Sequence, residues 1–282
     1  MTGRAIAALS ALVLLLAAAG CGGEQEGEAP IESTEQMVVP AGTLCFTANG
    51  EDFIRQGFTS KDDWQISFDH AWVNVSGVSA MQTDPPYDPH EGALPEPVET
   101  VFLSGPIEID LAEGDETAEP IRIGVMADVP AGHYNALAWG VAPRVEGEMA
   151  PSAILLSGSA VKNADTISFR IGLDLDCSFY GGEYVGDQRK GILAEGGEAD
   201  VEMTFHFDHL FGDAGSSPDD ELNVGAIGFQ PFVDLAADGL LDVTMADLAG
   251  SMDPEAYGKL LEILPTLGHV GEGHCLCVHR SD

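Results

Sequence analysis

Basic side chains are scarce in this chain: 11 lysines and arginines stand against 47 acids, a formal net charge of -36 over 282 residues. A nucleic-acid partner needs a basic face that displaces counterions from phosphate, and so few scattered cations cannot supply one. The same shortage excludes a polybasic membrane-surface protein. Enzyme signatures are also missing. There is no G-x-S-x-G elbow, no H-E-x-x-H, and no Walker or Rossmann glycine loop, so the expectation is that the chain is not an enzyme. What is present argues for a folded protein. Hydrophobic residues make up 45% and the 34 glycines punctuate periodic apolar runs, a composition unlike that of disordered chains.

The one long apolar run is at the N-terminus. Arg4 precedes a stretch from Ala5 to Ala19, and Ala18-Ala19-Gly20 leads into Cys21. This arrangement resembles a bacterial lipoprotein signal, which implies cleavage before Cys21 and lipidation of that cysteine. The run falls short of the roughly 20 residues a membrane-spanning helix needs, which disfavours an uncleaved anchor. Residues 1–20 are thus expected to be a signal peptide. Residues 21–40, rich in Gly and Glu without periodicity, are expected to be a flexible acidic tether. Gly22 in place of Asp resembles lipoproteins sent to the outer membrane of diderm bacteria, implying membrane attachment through the lipid on Cys21.

Four cysteines remain: Cys45, Cys177, Cys275 and Cys277. In an oxidising compartment an even count suggests two disulfides, with three pairings open. Cys275 and Cys277 point to one face of an extended strand, where a bridge between them is strained, so each is expected to reach Cys45 or Cys177. A thiolate metal site is the less favoured alternative outside the cytosol.

From Leu44 onward short alternating runs recur, bounded by Gly, Pro and Asp. Examples are Trp64, Ile66 and Phe68, then VETVFLS, PIEIDLAEG, NALAWGVAP, AILLSGSAV, TISFRIGLDLDCSF and ADVEMTFHFDHLF. They predict a mostly β protein, an antiparallel sandwich or barrel, forming a single domain over 41–282. Residues 83–97 read as a proline-rich loop. A helical insertion is expected over about 229–265. A short helix is expected near Phe232–Ala237. A longer one is expected where Asp253-Pro254-Glu255 caps Tyr257, Leu260, Leu261 and Leu264 at helical spacing before Pro265.

Five of the eight histidines fall near the C-terminal end: His206, His209, His269, His274 and His279. In ADVEMTFHFDHLF, alternation places Val201, Met203, Phe205 and Phe207 on a core face and Glu202, Thr204, His206 and Asp208 on the other, with His209 at the strand end. His269 and His274 flank Val-Gly-Glu-Gly, whose glycines let two imidazoles converge. Four imidazoles, with Asp208 and Glu272 behind them, suit zinc or copper better than calcium or magnesium. Taken singly, histidines at strand ends also serve to satisfy loop backbone. His279 alternates in phase with the cysteines and is read as structural, and His70, His90 and His133 stand alone.

The stretch from Val129 to the C-terminus resembles a group of uncharacterised secreted lipoproteins of diderm bacteria. The resemblance rests on Val129-Pro130-Ala131-Gly132, Ala142-Pro143, Gly158-Ser159-Ala160, the lone Cys177 and Gly196-Gly197. It continues through Thr204-Phe205-His206, Asp208-His209-Leu210-Phe211, Leu267-Gly268-His269 and Gly271-Glu272-Gly273-His274-Cys275. It covers over half the chain and implies that His206, His209, His269 and His274 act as a set, without supplying an activity. Similar proteins often carry an EF-hand-like loop between the two histidine segments. Here Leu240 and Leu241 occupy positions that need oxygen ligands and a turn glycine, so calcium at Asp238, Asp242 and Asp247 is disfavoured. The leading expectation is a lipid-anchored cell-envelope protein that holds zinc or copper through the four histidines, for metal capture or structural stabilisation. The alternative is an adhesion or scaffold sandwich whose histidines are structural only.

Overall fold

The segment that decides the architecture is Glu198–Phe205, a strand whose residues from Val201 onward are all buried. In a computed structural model, which describes residues 41–280, this strand is central in a five-stranded sheet. The order across that sheet is Gly273–His274, Gly268–Val270, Glu198–Phe205, Ala41–Asn49 and Ile121–Pro130. The expected signal peptide and tether lie outside the described residues.

Alternation in ADVEMTF marks one side of this strand as core, and the structure covers the other side as well. Glu198–Phe205 runs parallel to Ala41–Asn49, from Thr43 opposite Glu198 to Asn49 opposite Thr204. A strand inside a parallel pairing is normally covered on both faces. Residues 182–191 supply the second cover: Lys190 lies 2.9 Å from Glu202, which is itself buried, and its ammonium stands 5.3 Å from the Tyr184 ring centroid. Glu202 is therefore an internal ion-pair partner rather than a surface acid.

The larger sheet has ten strands. Its main path runs Leu240–Val243, Asp165–Leu173, Ile154–Lys162, Gln65–Thr83, Ala136–Val141, Cys177–Gly181 and Leu276–His279. The Gln65–Thr83 strand serves several partners because it changes register at Phe68/His70 and again at Ser76/Ser79, around Gly77 at φ 60°. Such bulges sharpen the local twist and re-aim a long strand. The protein is mostly β and sandwich-like, with mixed rather than purely antiparallel sheets and no closed barrel. The two sheets meet through aromatic side chains. Phe205 meets Trp139 edge-on at 6.1 Å, and Trp139 stacks on Phe179 at 5.5 Å.

Some helices fall where expected, with shifted bounds, while Glu51–Gln56, Asp208–Phe211 and Glu221–Gly225 lie outside the expected insertion. Asp253 caps Pro254–Ile263 by accepting from the amides of Glu255 and Ala256, and a 3₁₀ turn containing Pro265 ends the run. The helix expected over Phe232–Ala237 is instead Gln230–Val233, because Pro231 suits the first helical turn. Within the expected helical insertion, the segment carrying Asp238, Asp242 and Asp247 contains the strand Leu240–Val243, parallel to Asp165–Leu173, and the helix Met245–Ser251. Its acids have structural partners: Asp247 closes a capping box with Thr244, and Asp242 lies 3.4 Å from Arg170.

The expected disulfides are not formed, and all four cysteines are free. Cys45 donates instead to Glu198, 3.2 Å away. Cys177 and Cys277 share a buried face of neighbouring strands, but Cys177 lies opposite His279 and Cys277 opposite Phe179. Their thiols meet as a hydrogen-bonded pair and are not bridged. Cys275 packs beside Gly181.

Phe205 is fully buried between Trp139 and Phe207. Phe205→Ala should lower the unfolding free energy by about 3–5 kcal/mol in urea denaturation.

Candidate metal centre

Register alone builds this site at one end of the five-stranded sheet. Asn49 pairs with Thr204 in parallel, so the two chains leave the sheet together and Glu51 emerges beside His206. On the other side Thr204 pairs with His269, and His269 with His274. His209 is on neither strand. It sits in a single helical turn, Asp208–Phe211, that immediately follows Phe207. The hairpin joining His269 to His274 turns at Gly271, φ 60°, where a Cβ would approach the carbonyl oxygen of Val185 to 2.0 Å. Only glycine fits both demands.

One potential ligand atom from each of His206, His209 and His269 lies within 4.8 Å of the others. Nitrogens around a tetrahedral zinc are about 3.3 Å apart, given Zn–N near 2.05 Å; the spacing here is within reach of that. The His206 and His269 rings stack at 3.8 Å with planes 12° apart. Their lone pairs cannot aim at one ion until the planes open, so coordination must splay this stack. His274 is exposed, with its ring 4.5 Å from His269 and 5.8 Å from His209, and stands outside that trio.

The protons on the imidazoles are assigned by their partners. His269 Nε2 lies 3.1 Å from the Thr266 carbonyl, which can only accept, so this nitrogen carries the hydrogen. The Thr266 hydroxyl donates to the Ile263 carbonyl and therefore accepts from His209 Nδ1–H, 3.0 Å away. His206 Nε2 lies 3.2 Å from the Gly271 carbonyl, which again can only accept, and 3.1 Å from Glu51 Oε1. The remaining nitrogens, His206 Nδ1, His209 Nε2 and His269 Nδ1, keep free lone pairs. His269 Nδ1 is buried with no hydrogen-bond partner. A buried, unpaired acceptor is costly unless something fills its place. Outer acceptors that hold the far N–H of each imidazole are a recurrent feature of metal-binding histidines.

Electrostatics favour the neutral imidazoles. Burial, reinforced by the neighbouring imidazoles, pulls His206 and His209 down to about 4 and His269 to about 2. All three are neutral at pH 7, the state a metal ligand requires. Two acids move the other way. Burial, then the charges of Asp208 and Glu272, raises Glu51 to about 8. Burial also raises Asp208 to about 6, although the His209 amide, 2.9 Å from its carboxylate, opposes the shift. Both acids are held in surroundings that lack positive charge.

Glu51 is the residue that sequence reasoning missed. With His206 and Asp208 it forms a second group of potential ligand atoms within 4.8 Å of one another. Its backbone is at φ 62°, uncommon for a residue with a side chain, and its amide donates to Asn49 Oδ1 at 3.0 Å. Strain at a non-glycine residue is tolerated where the surroundings over-determine it. No local signal marks Glu51, because its partners lie over 150 residues away. Glu272, expected behind the ligands, is exposed and contributes through its charge. His70 pairs with Asp110 and His133 approaches Glu183, both apart from the histidine group. Cys21, the expected lipidation site, lies outside the described residues.

No protein family, curated protein or solved structure matches this chain.

The pH dependence of the metal-free protein follows from these shifts. A histidine held below its ordinary 6.5 contributes stability above pH 6.5, and that contribution is lost as pH falls from there toward 4. Glu51, raised from 4.5 to about 8, contributes stability that is lost as pH rises through that interval. The cluster should therefore make the apo-protein most stable near pH 6.5. In urea titrations across pH 4–9, Glu51→Gln should flatten the decline between pH 6.5 and 8 and steepen the rise between pH 4.5 and 6.5, which Glu51 otherwise opposes.

Proposed function

We propose that this is a cell-envelope protein, tethered through a lipid on Cys21, that captures a transition-metal ion through His206, His209 and His269. The single observation that carries the metal reading is the convergence of three neutral imidazoles, one ring nitrogen of each within 4.8 Å of the others, with one N–H of each already committed to a protein acceptor. Imidazole donors with a carboxylate close behind favour zinc or copper over calcium or magnesium. Glu51 is the carboxylate behind His206, and it orients that ring and raises its basicity. A divalent ion also answers the electrostatic problem of the site, since its charge stabilises the ionised forms of Glu51 and Asp208 that burial opposes. The lipid anchor rests on the N-terminal sequence pattern, and the acidic surface suits a solvated protein that attracts cations.

The same hydrogen bonds also favour a second reading, a scaffold in which the imidazoles pin the loops carrying Thr266 and Gly271. Metal content separates the two. Purified without a histidine tag and reconstituted, the protein should hold close to one equivalent of zinc or copper. His206→Ala combined with His269→Ala should abolish it, and Glu51→Gln should weaken affinity about 10–100-fold. Ion at about 100 times its Kd should add roughly 2.7 kcal/mol of stability, removed by chelator. Absence of bound metal, together with histidine variants that lose stability, would leave the scaffold reading standing.

A further inference from the structure

The three-histidine group is closed on one side by the protein and open on another. Toward the sheet, His206 and His269 are buried beneath Glu51 and the Gly271 turn. At His209 the group adjoins a pocket of about 470 Å³ between the helices Glu221–Gly225 and Pro254–Ile263. Its wall includes His209 and His274 from the site, with Lys259, Glu221, Glu262 and Ile263. His209 thus belongs both to the converging trio and to the pocket surface. His274, at the pocket side, is exposed rather than folded onto the trio.

Three protein ligands with a vacant approach from solvent is the pattern of zinc centres that exchange a ligand, whereas purely structural zinc centres use four. We infer that the metal centre keeps one exchangeable coordination position facing this pocket, where a small monoanion from solution binds. This inference rests on the metal reading above. The charge around the pocket sets the class of ligand. Lys259, held by a hydrogen bond of 2.6 Å to the Val224 carbonyl, presents an ammonium. The ammonium and a divalent ion favour an anion, while Glu221 and Glu262 on the same wall oppose a multiply charged one. The site would select for one negative charge and small size.

Cobalt(II) makes the coordination visible, and azide serves as the monoanion. Full-length protein in detergent should bind about one equivalent of cobalt. Azide should then shift the visible absorption bands saturably, both in the wild type and in His274→Ala. Lys259→Met should bind cobalt as well as the wild type and azide about fivefold more weakly. If cobalt binds and its spectrum ignores azide, the coordination sphere is closed and the exchangeable position does not exist, while the metal reading stands. A response that appears only in His274→Ala would identify His274 as a fourth ligand and overturn the inference equally. If no variant or wild type takes up cobalt, the metal reading itself fails.

Discussion

The parallel pairing of Ala41–Asn49 with Glu198–Phe205 is the constraint on which the rest of this structure depends. It makes the histidine-bearing strand an internal one, buries both its faces, and so requires the cover supplied by residues 182–191 and the buried contact of Lys190 with Glu202. It also brings the chain that follows Asn49 alongside the chain that follows Thr204. Glu51 and His206 meet for that reason alone. The antiparallel neighbour then adds His269, and the hairpin turning at Gly271 adds His274. One register, propagated across four strands, assembles residues from three distant parts of the chain.

The centre so formed is poised by burial rather than by charge pairing. Its imidazoles are neutral because desolvation dominates, and its acids are raised for the same reason. Each ring nitrogen that could carry a competing proton faces a carbonyl, hydroxyl or carboxylate oxygen. The inner nitrogens are left as acceptors in a place with few donors, which is the chemical situation a soft or borderline cation resolves. The acid excess of the whole chain has little part in this. Most acids lie on exposed turns and strand edges, while the ones that matter, Glu51 and Asp208, are half-buried beside the histidines.

Much of this was legible in the amino-acid order, and the failures have identifiable causes. The helix from Pro254 was readable because an N-cap, a first-turn proline and apolar residues at helical spacing agree. The histidine group was readable because its members fall in two short segments with glycines between them. The burial of the face carrying Glu202, Thr204 and His206 was not readable, since alternation sorts the residues of a strand and says nothing of what covers its second face. Glu51 was invisible because its role depends on a partner strand far along the chain, and on a left-handed backbone that no local preference of glutamate suggests. The expected bridges are not formed: Cys177 and Cys277 meet across neighbouring strands as hydrogen-bonded thiols, and Cys45 turns to Glu198, contacts that a count of cysteines does not reveal.

By itself, then, the sequence determined that this is an acidic, mostly β protein with a C-terminal helix and a clustered set of histidines, because periodicity, capping and turn chemistry act over a few residues. The tertiary structure decided which histidines converge, that Glu51 stands behind His206, that His274 remains at the pocket wall, and that the cysteines stay unbridged. Those outcomes depend on strand register and on burial from both sides, properties of residues brought together from far along the chain, which no local pattern encodes.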